Sequence, residues 1–129
     1  EIGYNYRMPN INAALGCAQL EKISELLKHK KQLTAKYDKL VANLDDVCLF
    51  KQPKHSDSNY WLQTLVLNES LNREEVLTFL NEKGVMSRPI WRPIDKLEMY
   101  KACPKMELSV TDILNKNIVN IPSTPIEVN

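Results

Sequence analysis

The stretch GYNYRMPNINAALGCAQLEKI, residues 3–23, decides the organisation of this chain, because a polar loop leads there directly into the longest helical pattern of the sequence. Pro9 suits the first turn of a helix, where a missing N–H group costs nothing, and the side chain of Asn10 or Asn12 can accept from the free amides of that turn. We therefore predict that a helix begins between Met8 and Asn12.

Apolar side chains then recur at intervals of three and four residues as far as Leu44, which predicts one buried helix face. The members of this face are Ile11, Leu15, Ala18 or Gln19, Ile23, Leu26, Leu27, Leu33, Tyr37, Leu40, Val41 and Leu44. Only Lys30 interrupts it. Because neither proline nor glycine occurs between Cys17 and Leu44, the pattern predicts a single helix over 10–44, about 35 residues and roughly 50 Å long.

The first turns of this helix carry unusually small side chains around Gly16. A glycine inside a helix costs about 1 kcal/mol relative to alanine, so we expect another backbone or a ligand to approach this face closely. Close packing of a second helix is the commoner of the two explanations.

Composition predicts a single domain of ordinary globular character. The chain has 129 residues, 43% of them apolar and 26% charged, with no apolar run near the roughly 20 residues of a membrane span. The net charge of +1 is too balanced for a nucleic-acid or acidic-membrane surface, so we interpret Lys28–Lys31 as the solvated side of the helix. Cys17, Cys48 and Cys103 are odd in number and widely spaced, which favours neither disulfides nor a zinc site and fits a reducing cytoplasm.

The middle of the chain predicts a strand–helix–strand unit. Val47–Phe50 reads as a short strand, and Tyr60–Leu67, rich in aromatic and β-branched residues, as a strand in the centre of a sheet. An amphipathic helix follows, with Asn72 as its N-cap and Gly84 at its end. The segment 60–90 is therefore predicted to be a βαβ-like or split α+β unit packed on the long helix.

The remainder predicts a short helix over 97–102, a further helix over 110–119 capped by Ser109 or Thr111, and a closing loop over 120–125. The predicted fold class is therefore α/β of the α+β kind. A long N-terminal helix packs there with a small, mainly antiparallel sheet and two or three shorter helices.

Taken by themselves, the residues offer no nucleophile–base pair, no phosphate-binding glycine loop and no metal-ligand cluster. His55 lies in a polar loop and is interpreted as solvent-exposed. Polar and aromatic groups concentrate instead at 5–7 and at 88–93, both on irregular backbone beside regular elements. Arginine, asparagine and tyrosine suit the orientation of a phosphate, although an ion pair with a carboxylate explains Arg7 equally well.

Three blocks of the sequence, in order, match the motifs of one known family. GYNYRM with NAALG and AQLE, at 3–21, resembles a G-x-N-x-R-M…AA-x-G-x-x-Q-L segment. GVMSRPIWRPI, at 84–94, resembles G-[IV]-x-x-R-P-x-W-x-P-[LM], and IPS, at 121–123, resembles a closing L-P-S motif. These motifs are those of the DegT/DnrJ family of pyridoxal-phosphate nucleotide-sugar aminotransferases, and the resemblance covers nearly the whole chain.

The resemblance implies that the chain is a fragment of a longer enzyme, its carboxy-terminal small domain. Residues 1–9 would be an active-site loop, 10–44 a long linker helix and 45–129 a small α/β subdomain. A lysine of the amino-terminal domain would hold pyridoxal 5′-phosphate as a Schiff base, and no candidate for it occurs here, so the fragment alone is predicted to be inactive. An amino donor, usually glutamate, and a keto-sugar linked to a nucleotide would be the substrates.

The resemblance also assigns residues. In the family's homodimer the asparagine matched by Asn5 reaches the cofactor phosphate of the neighbouring subunit, and the arginine matched by Arg7 supports it. Tyr6, Arg88 and Trp91 would lie on the sugar-nucleotide side.

Asp95 belongs to the same substrate-binding set but departs from the family, where many members have histidine. Glu98 likewise replaces a common proline. An acidic group in place of a neutral or cationic one puts any substrate contact at residue 95 in doubt.

Two alternatives stay open at this stage. A non-catalytic dimerisation or regulatory module would use the small-residue helix face only for packing on a partner. A sugar dehydratase on the same scaffold would replace the cofactor-binding lysine, which lies outside this chain.

Overall fold

The computed structural model describes Tyr4 and residues 6–124. Its regular elements, in chain order, are helices α1 (Asn10–Glu21) and α2 (Ile23–Val41), strands β1 (Val47–Leu49) and β2 (Gln63–Leu67), helix α3 (Arg73–Glu82), strand β3 (Arg88–Pro89), the 3-10 turns Ile94–Lys96 and Glu98–Tyr100, helix α4 (Ser109–Asn117) and strand β4 (Ile118–Ile121).

The four strands form one sheet in the order β1-β2-β4-β3, and every neighbouring pair is antiparallel. Strand β2 lies between β1 and β4, as expected for the strongest strand pattern. Since β4 runs antiparallel to both β2 and β3, those two strands share a direction, and α3 connects them across the intervening β4. The α/β fold class with a mainly antiparallel sheet is therefore confirmed, and the middle unit is a split βαβ arrangement.

The secondary structure predicted for residues 118–125 is wrong at β4. Residues 118 and 119 were assigned to a helix and 120–125 to a loop, but Ile118–Ile121 is a strand with partners on both sides. Val119 is 0% exposed, so this strand runs through the centre of the core. Its β-branched residues suit a strand, and pairing with two neighbours outweighs the helical pattern before it. The preceding α4 also begins without the expected cap, because Ser109 is already its first helical residue. The Ser109 amide donates instead to the carboxylate of Glu107 at 2.6 Å.

The other downstream elements follow their sequence signals with small shifts. Asn72 caps α3, its side-chain oxygen accepting from the Glu74 amide at 2.9 Å, and Gly84 follows the helix at φ +78°. Strand β2 begins at Gln63, three residues later than predicted, because the chain bends at Tyr60, where φ is +47°. The short helix expected over 97–102 is instead one 3-10 turn, Glu98–Tyr100, and a second 3-10 turn, Ile94–Lys96, precedes it.

The core lies between one sheet face and the helices. Its buried members are Leu49, Leu65, Leu67, Leu77, Val119 and Ile121, with Tyr37, Val41, Val47, Leu71, Val76 and Leu80 packed against them. Leu77 comes from α3, and Tyr37 and Val41 come from the second half of α2. The sheet is thus covered by α2 and α3, as a two-layer arrangement requires.

The single helix predicted over 10–44 is wrong in two respects. It ends at Val41, and it is interrupted at Lys22, where φ is −102° and ψ is 0°. There the Lys22 amide donates to the Gln19 carbonyl at 3.2 Å, a bond to the third residue back in place of the fourth. No proline or glycine marks this position, so the residue pattern did not predict the break.

The predicted helix face is also only partly buried. Leu26, Leu33 and Tyr37 of α2 are half-buried, but Ile11 of α1 is 83% exposed. None of the twelve residues of α1, all of which the structure describes, is buried. Nor does either predicted asparagine cap α1, because no described side chain bonds to its first turn and the helix follows Pro9 directly. The apolar stripe therefore meets the sheet only through α2.

Two side chains of α2 make polar contacts with the sheet and with the residues flanking its strands. Lys30, assigned above to the solvated side, is half-buried, and its ammonium donates to the Trp61 carbonyl at 3.2 Å and to the Ser123 carbonyl. Burial lowers the pKa of Lys30 below its ordinary value. One turn further on, the Thr34 hydroxyl accepts from the Gln63 side-chain amide at 2.8 Å.

Tyr37 is the third side chain of α2 that makes such a contact, since its hydroxyl donates to the Pro122 carbonyl at 3.0 Å. Burial raises the pKa of this phenol. The interruption that Lys30 makes in the apolar stripe is thus an attachment point rather than a solvated position.

Candidate functional site

The first group of candidate residues lies ahead of α1. The side chains of Tyr4, Tyr6, Arg7 and Met8 are exposed, and the rings of Tyr4 and Tyr6 contact each other with centroids 5.9 Å apart. Asn5 lies outside the described residues, so its predicted role stays a prediction. Two phenol groups and one guanidinium thus follow closely in sequence on irregular backbone ahead of α1, and groups of these types suit hydrogen bonding to an anion.

Gly16, two turns into α1, meets little of this chain. A Cβ placed there has no atom within 4 Å from the described residues beyond the adjoining helix backbone. The close approach that the small residues predict is therefore not made by this part of the chain, and it stays a prediction about some other part of the protein or a ligand.

The second group follows β3. Arg88 is exposed and pairs through its backbone with Asn120 of β4, which fixes the start of the segment on the sheet edge. Trp91 lies three residues further on, and its carbonyl accepts from the Asn115 side-chain amide at 3.3 Å. Its indole ring stacks on that of Trp61, with centroids 5.9 Å apart and planes inclined by 25°.

Asp95 lies in the first 3-10 turn, and its side chain is only 10% exposed. The ammonium groups of Lys96 and Lys105 each stand 3.4 Å from its carboxylate. Desolvation acts to raise the pKa of Asp95, but hydrogen bonds and charge from the two lysines prevail and hold that pKa below its ordinary value. Asp95 is therefore ionised, and two cations already share its Oδ2 oxygen.

A cavity of about 350 Å³ opens beside this carboxylate, lined mainly by Pro93, Ile94, Asp95, Tyr100, Cys103 and Leu108. The predicted substrate residues Arg88, Trp91 and Asp95 thus share one segment after α3, whereas Tyr6 and Arg7 precede α1.

Sequence reasoning missed Trp61. It was assigned to the interior of a strand, but it lies on the bend before β2 and carries the ring partner of Trp91. The available signal was that the chain has only two tryptophans, each next to a predicted irregular segment.

The described part of the chain offers little other chemistry. Cys17, Cys48 and Cys103 are free and exposed, and His55 is exposed at φ +67°. Among the described residues, no three of the types His, Cys, Asp and Glu are grouped so as to hold a metal ion. None of the described helices has the length and apolar character needed to cross a membrane.

Comparison with known protein families tests the resemblance that the three sequence blocks carry. The model of the DegT/DnrJ/EryC1/StrS aminotransferase family matches residues 1–126. This chain belongs to that family. The resemblance carried by the three sequence blocks is thereby confirmed, whereas the roles of the candidate residues stay predictions.

Individual members of the family are similar over most of the chain. The GDP-perosamine synthase of Vibrio cholerae is 31% identical over 96% of this chain and 34% of its own length. The putative pyridoxal phosphate-dependent aminotransferase EpsN of Bacillus subtilis is 35% identical over 78% of this chain and 26% of its own. The chain thus spans about a third of the length of such relatives.

Solved structures of the family match the fold. DesI, crystallised with its TDP-sugar product, superposes with a TM-score of 0.86 at 25% identity, over 95% of this chain and 32% of that protein. An E. coli GDP-4-keto-6-deoxy-D-mannose-3-dehydratase with bound hydrated PLP superposes with a TM-score of 0.81 at 20% identity, over 97% of this chain and 33% of that protein. The second likeness concerns the fold alone, and it shows that a dehydratase shares this fold.

Proposed function

We propose that this chain is the carboxy-terminal small domain of a pyridoxal-phosphate aminotransferase that transfers an amino group, from glutamate, to a keto-sugar linked to a nucleotide. Such an enzyme supplies amino sugars for polysaccharide synthesis. The observation that carries the proposal is the family match over residues 1–126, joined to relatives named as UDP- and dTDP-sugar transaminases. Because three further relatives are named GDP-perosamine synthases, a GDP-linked keto-sugar is the first substrate to test.

The proposal divides the work between this chain and the rest of the enzyme. Pyridoxal phosphate, when bound, supplies an electron sink for the amino group's carbon. The lysine that attaches it is assigned to the amino-terminal part of the protein, so this chain alone is proposed to be inactive. What the chain contributes is binding and orientation of the cofactor phosphate and the sugar nucleotide, which is a large part of catalysis by positioning.

The donors ahead of α1 fit a cofactor phosphate. Arg7 brings a permanently charged guanidinium with paired N–H groups, and Tyr6 brings a hydroxyl, both on exposed backbone that leads into α1. Asn5 would add an amide donor. We assign Asn5 and Arg7 to the cofactor phosphate of the neighbouring subunit and Tyr6 to the substrate, which requires the enzyme to be a homodimer.

The segment after α3 supplies the groups for the sugar nucleotide. Arg88 is exposed and available to the diphosphate, and Trp91 presents an indole face suited to a flat ring. Asp95 is ionised but shared with Lys96 and Lys105, so it can accept from a sugar hydroxyl only through an oxygen not already engaged. Among the three, we expect Asp95 to contribute least to substrate binding.

A sugar dehydratase on the same scaffold is the second candidate, and it is favoured by one observation: a dehydratase is among the structures that share this fold. The two functions differ in their product. Transamination places nitrogen on the keto carbon, whereas dehydration removes a hydroxyl from a neighbouring carbon. A non-catalytic dimerisation module, by contrast, would bind no cofactor.

The test uses the complete protein that contains this chain, purified with pyridoxal phosphate. We expect visible cofactor absorbance and, with glutamate and GDP-linked keto-sugar, a product that mass spectrometry identifies as the amino sugar. Asn5→Ala should weaken cofactor retention without unfolding the protein, whereas Asn43→Ala, in the exposed turn after α2, serves as the matched control. Absence of bound cofactor would refute the proposal, a dehydrated product would select the dehydratase, and equal retention in both variants would remove Asn5 from the site.

A further inference from the structure

The two tryptophans of this chain come from different parts of the fold. Trp61 precedes β2, and Trp91 follows β3, so the strand β4 lies between the elements that carry them. Their rings nevertheless stack, with an interplanar angle of 25°. The distance of 5.9 Å between the ring centroids lies within the range preferred by aromatic pairs. The ring pair therefore ties one loop to the other beside the sheet.

Trp61 is the firmly held member of the pair. Its amide donates to the Asn59 side chain at 3.0 Å, and its carbonyl accepts from Lys30 of α2 at 3.2 Å. The same ammonium also bonds to the carbonyl of Ser123, next to the end of β4, so the lysine that holds the Trp61 backbone is itself held in place. Trp91, in contrast, has a single side-chain contact to its backbone, from Asn115 at 3.3 Å.

The pair is not part of the core. Trp61 is 65% exposed and Trp91 is 66% exposed, so the contact between the rings covers only part of each surface. Burial of apolar area therefore gives a weak reason for two large rings at this place, whereas orientation of one ring by the other gives a direct one.

We propose that Trp61 is a positioning residue: its indole, carried on an anchored backbone, holds the ring of Trp91 in the plane and place in which Trp91 contacts the nucleotide-sugar substrate. This inference rests on the proposed function, because it takes Trp91 as a substrate contact. Trp61 itself acts through Trp91 and need not touch the substrate.

The test is a double-substitution cycle in the complete protein carrying its cofactor, using Trp61→Ala, Trp91→Ala and the pair. Trp61→Ala should raise the KM for the nucleotide sugar about two- to tenfold, the range that an aromatic pair contributes, with the KM for glutamate and kcat unchanged. Adding Trp61→Ala to Trp91→Ala should cause no further change, since an indirect contribution vanishes with its target. Trp61→Phe should restore most of the binding because it keeps a stacking ring.

Phe79→Ala provides the control, since Phe79 is an exposed aromatic ring on α3 whose contact is with Lys83 of the following turn. It should leave both KM values unchanged. Near-ultraviolet circular dichroism should change alike in Trp61→Phe and Trp91→Phe if the rings are coupled in solution.

The possible failures can be told apart. If the unsubstituted protein lacks cofactor absorbance and does not bind GDP, the proposed function falls, and this inference falls with it. If that protein is active but the effects of the two alanine substitutions on KM add, or Trp61→Ala leaves KM unchanged, only the role of Trp61 is refuted. A variant that loses its circular dichroism signal throughout would have misfolded, and the decision then rests on Trp61→Phe, for which a KM raised as far as by Trp91→Ala is the contradicting result.

Discussion

Replacing Thr34 by valine tests the attachment of α2 to the sheet. Gln63 is 1% exposed, and its side-chain amide donates to the Thr34 hydroxyl at 2.8 Å. Valine keeps the shape of threonine but removes that acceptor, so a buried donor loses its partner. Such a loss costs about 1–3 kcal/mol, more than the typical net value of an exposed hydrogen bond.

Thr78 offers a closely matched control. Its hydroxyl donates to the Glu74 carbonyl one turn earlier at 2.8 Å, just as the Thr34 hydroxyl donates to the Lys30 carbonyl at 2.9 Å. Thr78 is exposed, however, and among the described residues its hydroxyl has no buried donor such as Gln63. Thr78→Val should therefore change stability by no more than about 0.5 kcal/mol.

Hydrogen exchange followed by mass spectrometry measures the effect locally, in peptides that cover α2 and β2. Thr34→Val should speed exchange there about 5- to 140-fold, which is the factor corresponding to 1–3 kcal/mol, and Thr34→Ser should restore most of the protection. Equal exchange in Thr34→Val and Thr78→Val would refute the reasoning, because the buried amide would then have lost nothing.

Two further predictions concern the surface after α3. Asp95→Asn should reduce the loss of unfolding free energy at acid pH, as measured by urea unfolding at a series of pH values. Lys96 and Lys105 depress the pKa of Asp95 in the folded protein. The stabilisation is therefore present above about pH 3.8 and is lost as pH falls through the lowered pKa. A decline as steep as in the unsubstituted protein would contradict this. Gly84→Ala should destabilise α3 by about 1–2 kcal/mol, because alanine is strained at the φ of +78° that Gly84 adopts. The described surroundings leave open space for a Cβ, so a steric clash adds nothing to this cost. Unchanged exchange in α3 peptides would show that the turn relaxes.

Local chemistry made much of the fold predictable. The cap at Asn72, the glycine stop at Gly84 and the dense β pattern before Leu67 are short-range signals, and each stands close to where it was predicted. Strand β4 was not predictable in this way, because its identity depends on pairing with β2 and β3, which are distant in sequence. The same holds for the Trp61–Trp91 pair, since no spacing rule joins residues 30 positions apart across a third strand.

Lys30 shows why a correct pattern led to a wrong assignment. A charge within an apolar stripe is usually solvated, and the neighbouring Lys28 and Lys31 are exposed as expected. At Lys30, however, two backbone carbonyls approach the helix, that of Trp61 just before β2 and that of Ser123 just after β4. Each carbonyl needs a hydrogen-bond donor, and the Lys30 ammonium supplies it. Only the folded arrangement supplies those acceptors.

The helix α1 leads to a conclusion about the whole protein. It has twelve residues, all described and none buried, and an isolated helix of that length is marginal in water. It nevertheless carries the exposed apolar side chains of Ile11, Leu15 and Leu20 and a small face at Gly16 that the described chain leaves open. Apolar surface of this kind is seldom left uncovered, so we expect α1 to be covered in the assembled protein. Because residues 6–9 lead directly into α1, that packing would also determine where Tyr6 and Arg7 point, and the proposed contact of these side chains with a phosphate depends on it.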